Sequence, residues 1–179
     1  MGRIVSFSHA QEICQELRGK GKTVVFTNGV FDLLHVGHVR YLKAARELGD
    51  ALFVGLNSDG SARGIKGPGR PLMPQAERAE VLCALISVDY VTIYEEPTAE
   101  QLVQALQPDI YAKGGDYAAA VSSTQQTSFP ESWVVKPLPE ARVVESYGGR
   151  VVILPYTADR STSKIIASIP NAGAADEGG

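Results

Sequence analysis

Short apolar runs alternate with helix-period stretches along almost the whole chain, and this alternation limits the fold more than any other feature. The runs, rich in Val, Ile, Leu, Phe and Tyr, are Thr23 to Thr27, Ala51 to Leu56, Asp89 to Tyr94, Asp109 to Ala112 and Arg150 to Pro155. Their lengths suit strands buried on both faces. Between them lie helical patterns at Val39 to Leu48, Gln75 to Ile86, Thr98 to Leu106 and Pro139 to Tyr147, with Thr98 and Gln101 spaced as a capping box. A last helix is expected over Thr162 to Ile169, capped by Ser161 and stopped by Pro170. Strictly alternating elements predict an α/β domain: a doubly wound, five-stranded parallel sheet with helices on both faces and ligands beyond the strand carboxyl ends.

Three stretches fall outside this scheme. Ser6 to Arg18 reads as an amphipathic packing helix with Ile13, Cys14 and Leu17 on its inner side. Ala118 to Leu138, polar at first and then carrying Phe129, Trp133, Val134 and Val135, reads as an inserted loop. Its apolar end could fold over a ligand or dock on a second copy in a homodimer. The small acidic tail, residues 170–179, should be disordered, leaving residues 1–169 as one domain. With 17 Lys and Arg against 20 Asp and Glu, the net charge of −3 gives no global pull toward nucleic acid or an anionic membrane, so phosphate recognition must be local. Cys14 and Cys83 lie in helical patterns, which fits a reducing cytoplasm better than a disulfide framework. No stretch is long and apolar enough to span a bilayer.

The densest chemical signal is Thr27-Asn28-Gly29-Val30-Phe31-Asp32-Leu33-Leu34-His35-Val36-Gly37-His38, where the first strand gives way to a helix. A helix start offers unpaired N–H groups and the positive end of a dipole, both suited to phosphate. Gly29 and Gly37 let backbone approach a ligand, and His35 and His38, three residues apart, can turn both rings toward one anion. Their plainer alternative is a pair of capping or core histidines. No third ligand stands near them in sequence, so no protein metal site is expected.

Other segments fall on the same rim of the sheet. Arg63 to Pro71 holds three glycines and three cations, Arg63, Lys66 and Arg70, and reads as a mobile basic lid. Ser161-Thr162-Ser163 opens the last helix, another anion-binding start. Lys113-Gly114-Gly115-Asp116-Tyr117 follows the fourth run; its glycines admit a flat base or ribose and Asp116 can accept hydrogen bonds from hydroxyls.

The segment from Thr27 to His38 resembles the N-terminal signature of the cytidylyltransferase-like nucleotidyltransferases, whose HxGH motif is here His35-Val36-Gly37-His38. The resemblance covers about residues 8–117 and 138–169 and implies a Rossmann-like fold. Within that family, Thr27 to Asp32, Arg70-Pro71 with Pro74, and Lys113 to Tyr117 look most like the heptose 1-phosphate adenylyltransferase branch. The resemblance implies Mg²⁺-dependent transfer of AMP from ATP to a sugar 1-phosphate with release of pyrophosphate, the metal being carried mainly by the nucleotide phosphates. His35 and His38 would bind the triphosphate and stabilise the transition state. Thr27, with the backbone of Val30 and Phe31, would line the pocket, and Asp32 would hold the turn. Lys66 matches a family lysine. Arg78 matches an arginine that supports the nucleotide or the loop, and Ser161, Thr162 and Ser163 would meet the β and γ phosphates. The family arginine five residues before that triplet is Tyr156 here, with Arg160 next to it. The insertion at Ala118 to Leu138 departs from the family pattern and bears on the acceptor. Two other readings stand beside this one: cytidylyl transfer to glycerol 3-phosphate or another phospho-alcohol, and a nucleotide-binding regulatory module without turnover.

Overall fold

The computed structural model describes residues 1–114, 138–154 and Ile166. In chain order the described elements are β1 (Arg3–Ile4), α1 (Phe7–Gly19), β2 (Val24–Gly29), α2 (Val36–Arg46), β3 (Ala51–Asn57), α3 (Asp59–Lys66), α4 (Gln75–Ala84), β4 (Tyr90–Tyr94), α5 (Glu100–Leu106), β5 (Ile110–Gly114), α6 (Pro139–Ser146) and β6 (Arg150–Leu154). The strands form one sheet in the order β1-β4-β3-β2-β5-β6, parallel throughout. The five expected runs are all strands.

A sixth strand, β1, lies on the edge beside β4. At two residues it is too short to leave a periodic signal, and it is fixed by backbone bonds from Arg3 N–H to Asp89 O and from Val5 N–H to Val91 O. Alternate strand residues feed two cores. Val24, Phe26, Phe53 and Tyr111 face α1, α5 and α6. Val25, Leu52, Val54, Leu56, Val91 and Ile110 face α2 and α4.

Local chemistry explains where elements begin. Asp50, Asp89 and Asp109 accept from the N–H groups of Thr23, Leu52 and Val24, satisfying donors at the amino edge of the sheet. Ser6 caps α1, on which Ala10, Ile13 and Cys14 are buried. The expected capping box at Thr98 does not form: Thr98 donates to Glu100, and the N–H of the N-cap residue Ala99 is taken by Glu140. A carboxylate from α6, distant in sequence, displaces the local cap.

The basic lid is also corrected. Residues 59–66 are helix α3, capped by Ser58, and only the segment from Gly67 onward is loop. Gly60 and Gly64 disguise this helix, since glycine is a poor helix former. Of the expected last helix, only Ile166 is described, in helical conformation. The tail and residues 118–137 lie outside the described residues.

Candidate active site

The sheet order places a topological switch at β2. From β2 the chain proceeds to β3 and β4 on one side, then returns to β5 and β6 on the other. Crevices for ligands open at the carboxyl ends of strands at such a point. Here β2 delivers Asn28 and Gly29, and β5 delivers Lys113.

The histidine turn is built by its own backbone. His35 is the N-cap of α2, which begins at Val36 rather than Val39. Its Nδ1 accepts from Gly37 N–H at 3.1 Å, while His38 Nδ1 accepts from His35 N–H at 3.3 Å. The plainer capping role therefore holds for the inner nitrogen of each ring. The His38 ring, neutral and accepting through Nδ1, carries its proton on Nε2 and so has an N–H to donate. The rings lie 4.0 Å apart between centroids. Burial, with the neighbouring His35 as a smaller cause, holds the His38 pKa down to about 4.

The glycines of the motif serve the histidines and the turn. A Cβ on Gly37 would lie 2.8 to 2.9 Å from the His35 ring, and one on Gly29 would press at 3.1 Å on Phe31. Phe31 itself is left-handed, with φ of 45°, an unfavourable conformation for a bulky residue. Its neighbours hold it there. Val30 O accepts from Arg78, and Asp32 accepts from Leu72 N–H, Met73 N–H and Arg70 Nη1.

Arg78 is 1% exposed and is not a surface arginine. Its Nε donates to Met73 O, its Nη1 to Val30 O and Asn57 O, and its Nη2 to Asp59. One guanidinium therefore ties the histidine loop to the end of β3, to the start of α3 and to the loop after it. Of the two expected supports, nucleotide or loop, the described contacts are with loops.

A cleft of about 280 Å³ opens at the switch, lined by Asn28, Gly29, Val30 and Asn57, by Lys66 of α3, by Tyr94 and Lys113, and by Leu138, Pro139 and Glu140. Asn28 organises its floor: Oδ1 accepts from Lys113 Nζ at 2.7 Å and from Tyr111, while Nδ2 donates to Tyr94. Burial pushes the Lys113 pKa down to about 8, against the raising effect of Glu140. Thr27 is fully buried and bonds to Tyr41, which donates to Ala112 O; it anchors α2 on the sheet and is not among the residues lining the cleft.

Of the expected site residues, Asn28, Gly29, Val30, Lys66 and Lys113 line the cleft; Phe31, His35, Gly37 and His38 form the turn that follows β2 and opens α2, and Thr27 and Arg78 brace it from within. Gly115, Asp116, Ser161, Thr162 and Ser163 lie outside the described residues, as do Tyr156 and Arg160. Sequence reasoning missed Tyr94, Tyr111 and Glu140. The two tyrosines passed as strand residues and Glu140 as an ordinary first-turn acid.

The family model described as cytidylyltransferase-like matches residues 26–168. The chain belongs to the cytidylyltransferase-like family of nucleotidyltransferases. It is 50% identical to the bifunctional protein HldE of Syntrophotalea carbinolica over 159 residues, which cover 89% of this chain and 29% of that protein. It is also 50% identical to HldE of Trichlorobacter lovleyi over 158 residues, 88% of this chain and 29% of that one. The chain therefore spans about three tenths of the length of these curated relatives. A solved lipopolysaccharide core biosynthesis protein from Thermoplasma volcanium matches with a TM-score of 0.54 at 28% identity, covering 76% of this chain and 98% of that one. Pantoate-beta-alanine ligase from Francisella tularensis shares the fold, with a TM-score of 0.56 at 15% identity over 91% of this chain and 69% of that one. Among the described residues no helix is long and apolar enough to cross a membrane.

The depressed His38 pKa has a measurable consequence. Unfolded, the ring takes up a proton near pH 6.5; folded, it stays neutral until about pH 4. The unfolded state therefore binds more protons between these values, and stability falls as pH falls from 6.5 to 4, by roughly 3 kcal/mol from this group. Urea denaturation of wild type and His38→Asn across that range checks this: the variant should lose less stability on acidification. Parallel curves would show that His38 titrates normally.

Proposed function

We propose that the chain transfers AMP from ATP to D-glycero-β-D-manno-heptose 1-phosphate, giving ADP-heptose and pyrophosphate. The observation that carries this reading is the cleft at the β2/β5 switch with Lys66 and Lys113 in its lining, opening where the strand that leads into the histidine turn ends, in a chain half identical to HldE proteins. An oxygen of the acceptor phosphate attacks the α-phosphorus of ATP. The bond from that phosphorus to the bridging oxygen breaks, and pyrophosphate leaves with the electron pair. No enzyme nucleophile is required.

Catalysis is then positioning and stabilisation of charge on oxygen. His35 and His38 donate through Nε2 to the nucleotide phosphates, with the backbone of Val30 and Phe31 beside them. Lys66 and Lys113 neutralise phosphate charge from the cleft. Gly115, Asp116 and the triplet Ser161, Thr162 and Ser163 keep their nucleotide-binding assignments as proposals. Among the described residues no three His, Cys, Asp or Glu side chains gather around a cation. Mg²⁺ belongs to this reading as part of the nucleotide substrate, neutralising the triphosphate.

The test is a grid of four nucleoside triphosphates against phosphorylated acceptors, scored by pyrophosphate release and by product mass. The highest kcat/KM is expected for ATP with the heptose 1-phosphate. Equal or faster turnover of CTP with glycerol 3-phosphate would replace the assignment, and no pyrophosphate with any pair would leave a nucleotide-binding module.

A further inference from the structure

Among the described residues Glu140 is the one acid lining the cleft, and its burial there is unusual for a site that handles phosphates. The residue is 4% exposed. Its Oε1 accepts from the Ala99 N–H at 2.9 Å, and this is its one hydrogen bond from the described residues. Oε2 has no such bond from the described residues, and the residue lines the cleft.

A desolvated carboxylate with one donor for its two oxygens is costly, so a second donor from the guest is the natural completion of this site. The guest atom cannot be a phosphate oxygen, which the carboxylate repels and Lys66 and Lys113 attract. A second ammonium is disfavoured by Lys113, whose charge already interacts with Glu140. A neutral O–H group satisfies both constraints.

We infer that Glu140 binds a hydroxyl of the acceptor and so selects a polyhydroxylated sugar phosphate over a small phospho-alcohol. The inference rests on reading the cleft as the acceptor site of the proposed reaction. It divides the cleft between two chemistries. Lys66 and Lys113 take the phosphate; Glu140, with Tyr94 and Thr98 in the same lining, takes the neutral polyol.

The test uses the full chain with Mg²⁺, ATP and D-glycero-β-D-manno-heptose 1-phosphate, comparing wild type with Glu140→Gln and Glu140→Asp. Gln retains an oxygen for the Ala99 N–H but loses the charge, so the helix cap survives. Glu140→Gln is expected to raise the acceptor KM about tenfold or more while leaving the ATP KM within twofold. Glycerol 3-phosphate and phosphoethanolamine are assayed alongside, and the preference of wild type for the heptose over both should narrow in Glu140→Gln. An unchanged acceptor KM, or equal changes for acceptor and ATP, would overturn the inference while the wild-type activity leaves the proposed function standing. Preference of wild type for phosphoethanolamine would mean that the carboxylate reads an amine, overturning both. Failure of wild type to use the heptose at all would remove the proposed function and this inference together. If Glu140→Gln does not fold, the shorter Glu140→Asp, which pulls the carboxylate back, must show the same rise in acceptor KM alone, or the inference fails.

Discussion

His38→Ala lowers kcat by roughly 100-fold or more while the chain remains folded, because removing one donor to transition-state charge typically costs about 3 kcal/mol. His38 contributes two separate things: Nδ1 accepts from the His35 N–H and closes the capping box, and Nε2 carries the N–H proposed to meet phosphate. The substitution removes both, so a second variant separates them. His38→Asn keeps an acceptor near the position of Nδ1 but lacks a donor at Nε2. If that donor matters, Asn recovers stability and not rate. Recovery of kcat in His38→Asn, measured under saturating substrates beside a denaturant curve, would reduce His38 to a helix cap.

Arg78→Met destabilises the protein by about 3 kcal/mol, the scale expected when a buried cation is withdrawn from the groups it pairs. Methionine fills part of the space but supplies no donors. Val30 O, Asn57 O and Met73 O each lose a bond, and Asp59 loses its ion pair. Three of those partners flank the histidine loop and the Lys66 helix, so kcat should fall with stability even though Arg78 does not line the cleft. Urea unfolding gives the first quantity and steady-state kinetics at low temperature the second. A loss below about 1 kcal/mol would mean that the four bonds are replaceable by water.

The strands and the histidine turn were legible because their signals are local. Each of the five runs is a continuous apolar stretch, and the pattern Thr27 to His38 is contiguous. What escaped the sequence depends on partners far along the chain. Glu140 caps α5 from forty residues away and so erased the capping box that Thr98 and Gln101 promised. Arg78 joins four segments that no periodicity connects. The helix α3 hid behind two glycines, and β1 behind its brevity. Gly37 was read as room for a ligand, whereas the space it leaves is filled by the His35 ring. Asp32 was legible as a residue that holds the turn, though its partners, Arg70, Leu72 and Met73, were not.

The chain leaves the sheet after Lys113 and Gly114 and comes back at Leu138, Pro139 and Glu140, and Lys113 and all three returning residues line the same cleft. The points where the described chain departs and returns are thus both fittings of one chamber. The histidine turn hangs from a different strand end and is clamped by Arg78 and Asp32, neither of which touches those fittings. On the proposed reading, a lineage carrying this fold can therefore rewrite residues 118–137 and alter the acceptor while the clamped histidine turn, and the assignments of Gly115 and Asp116, stay as they are.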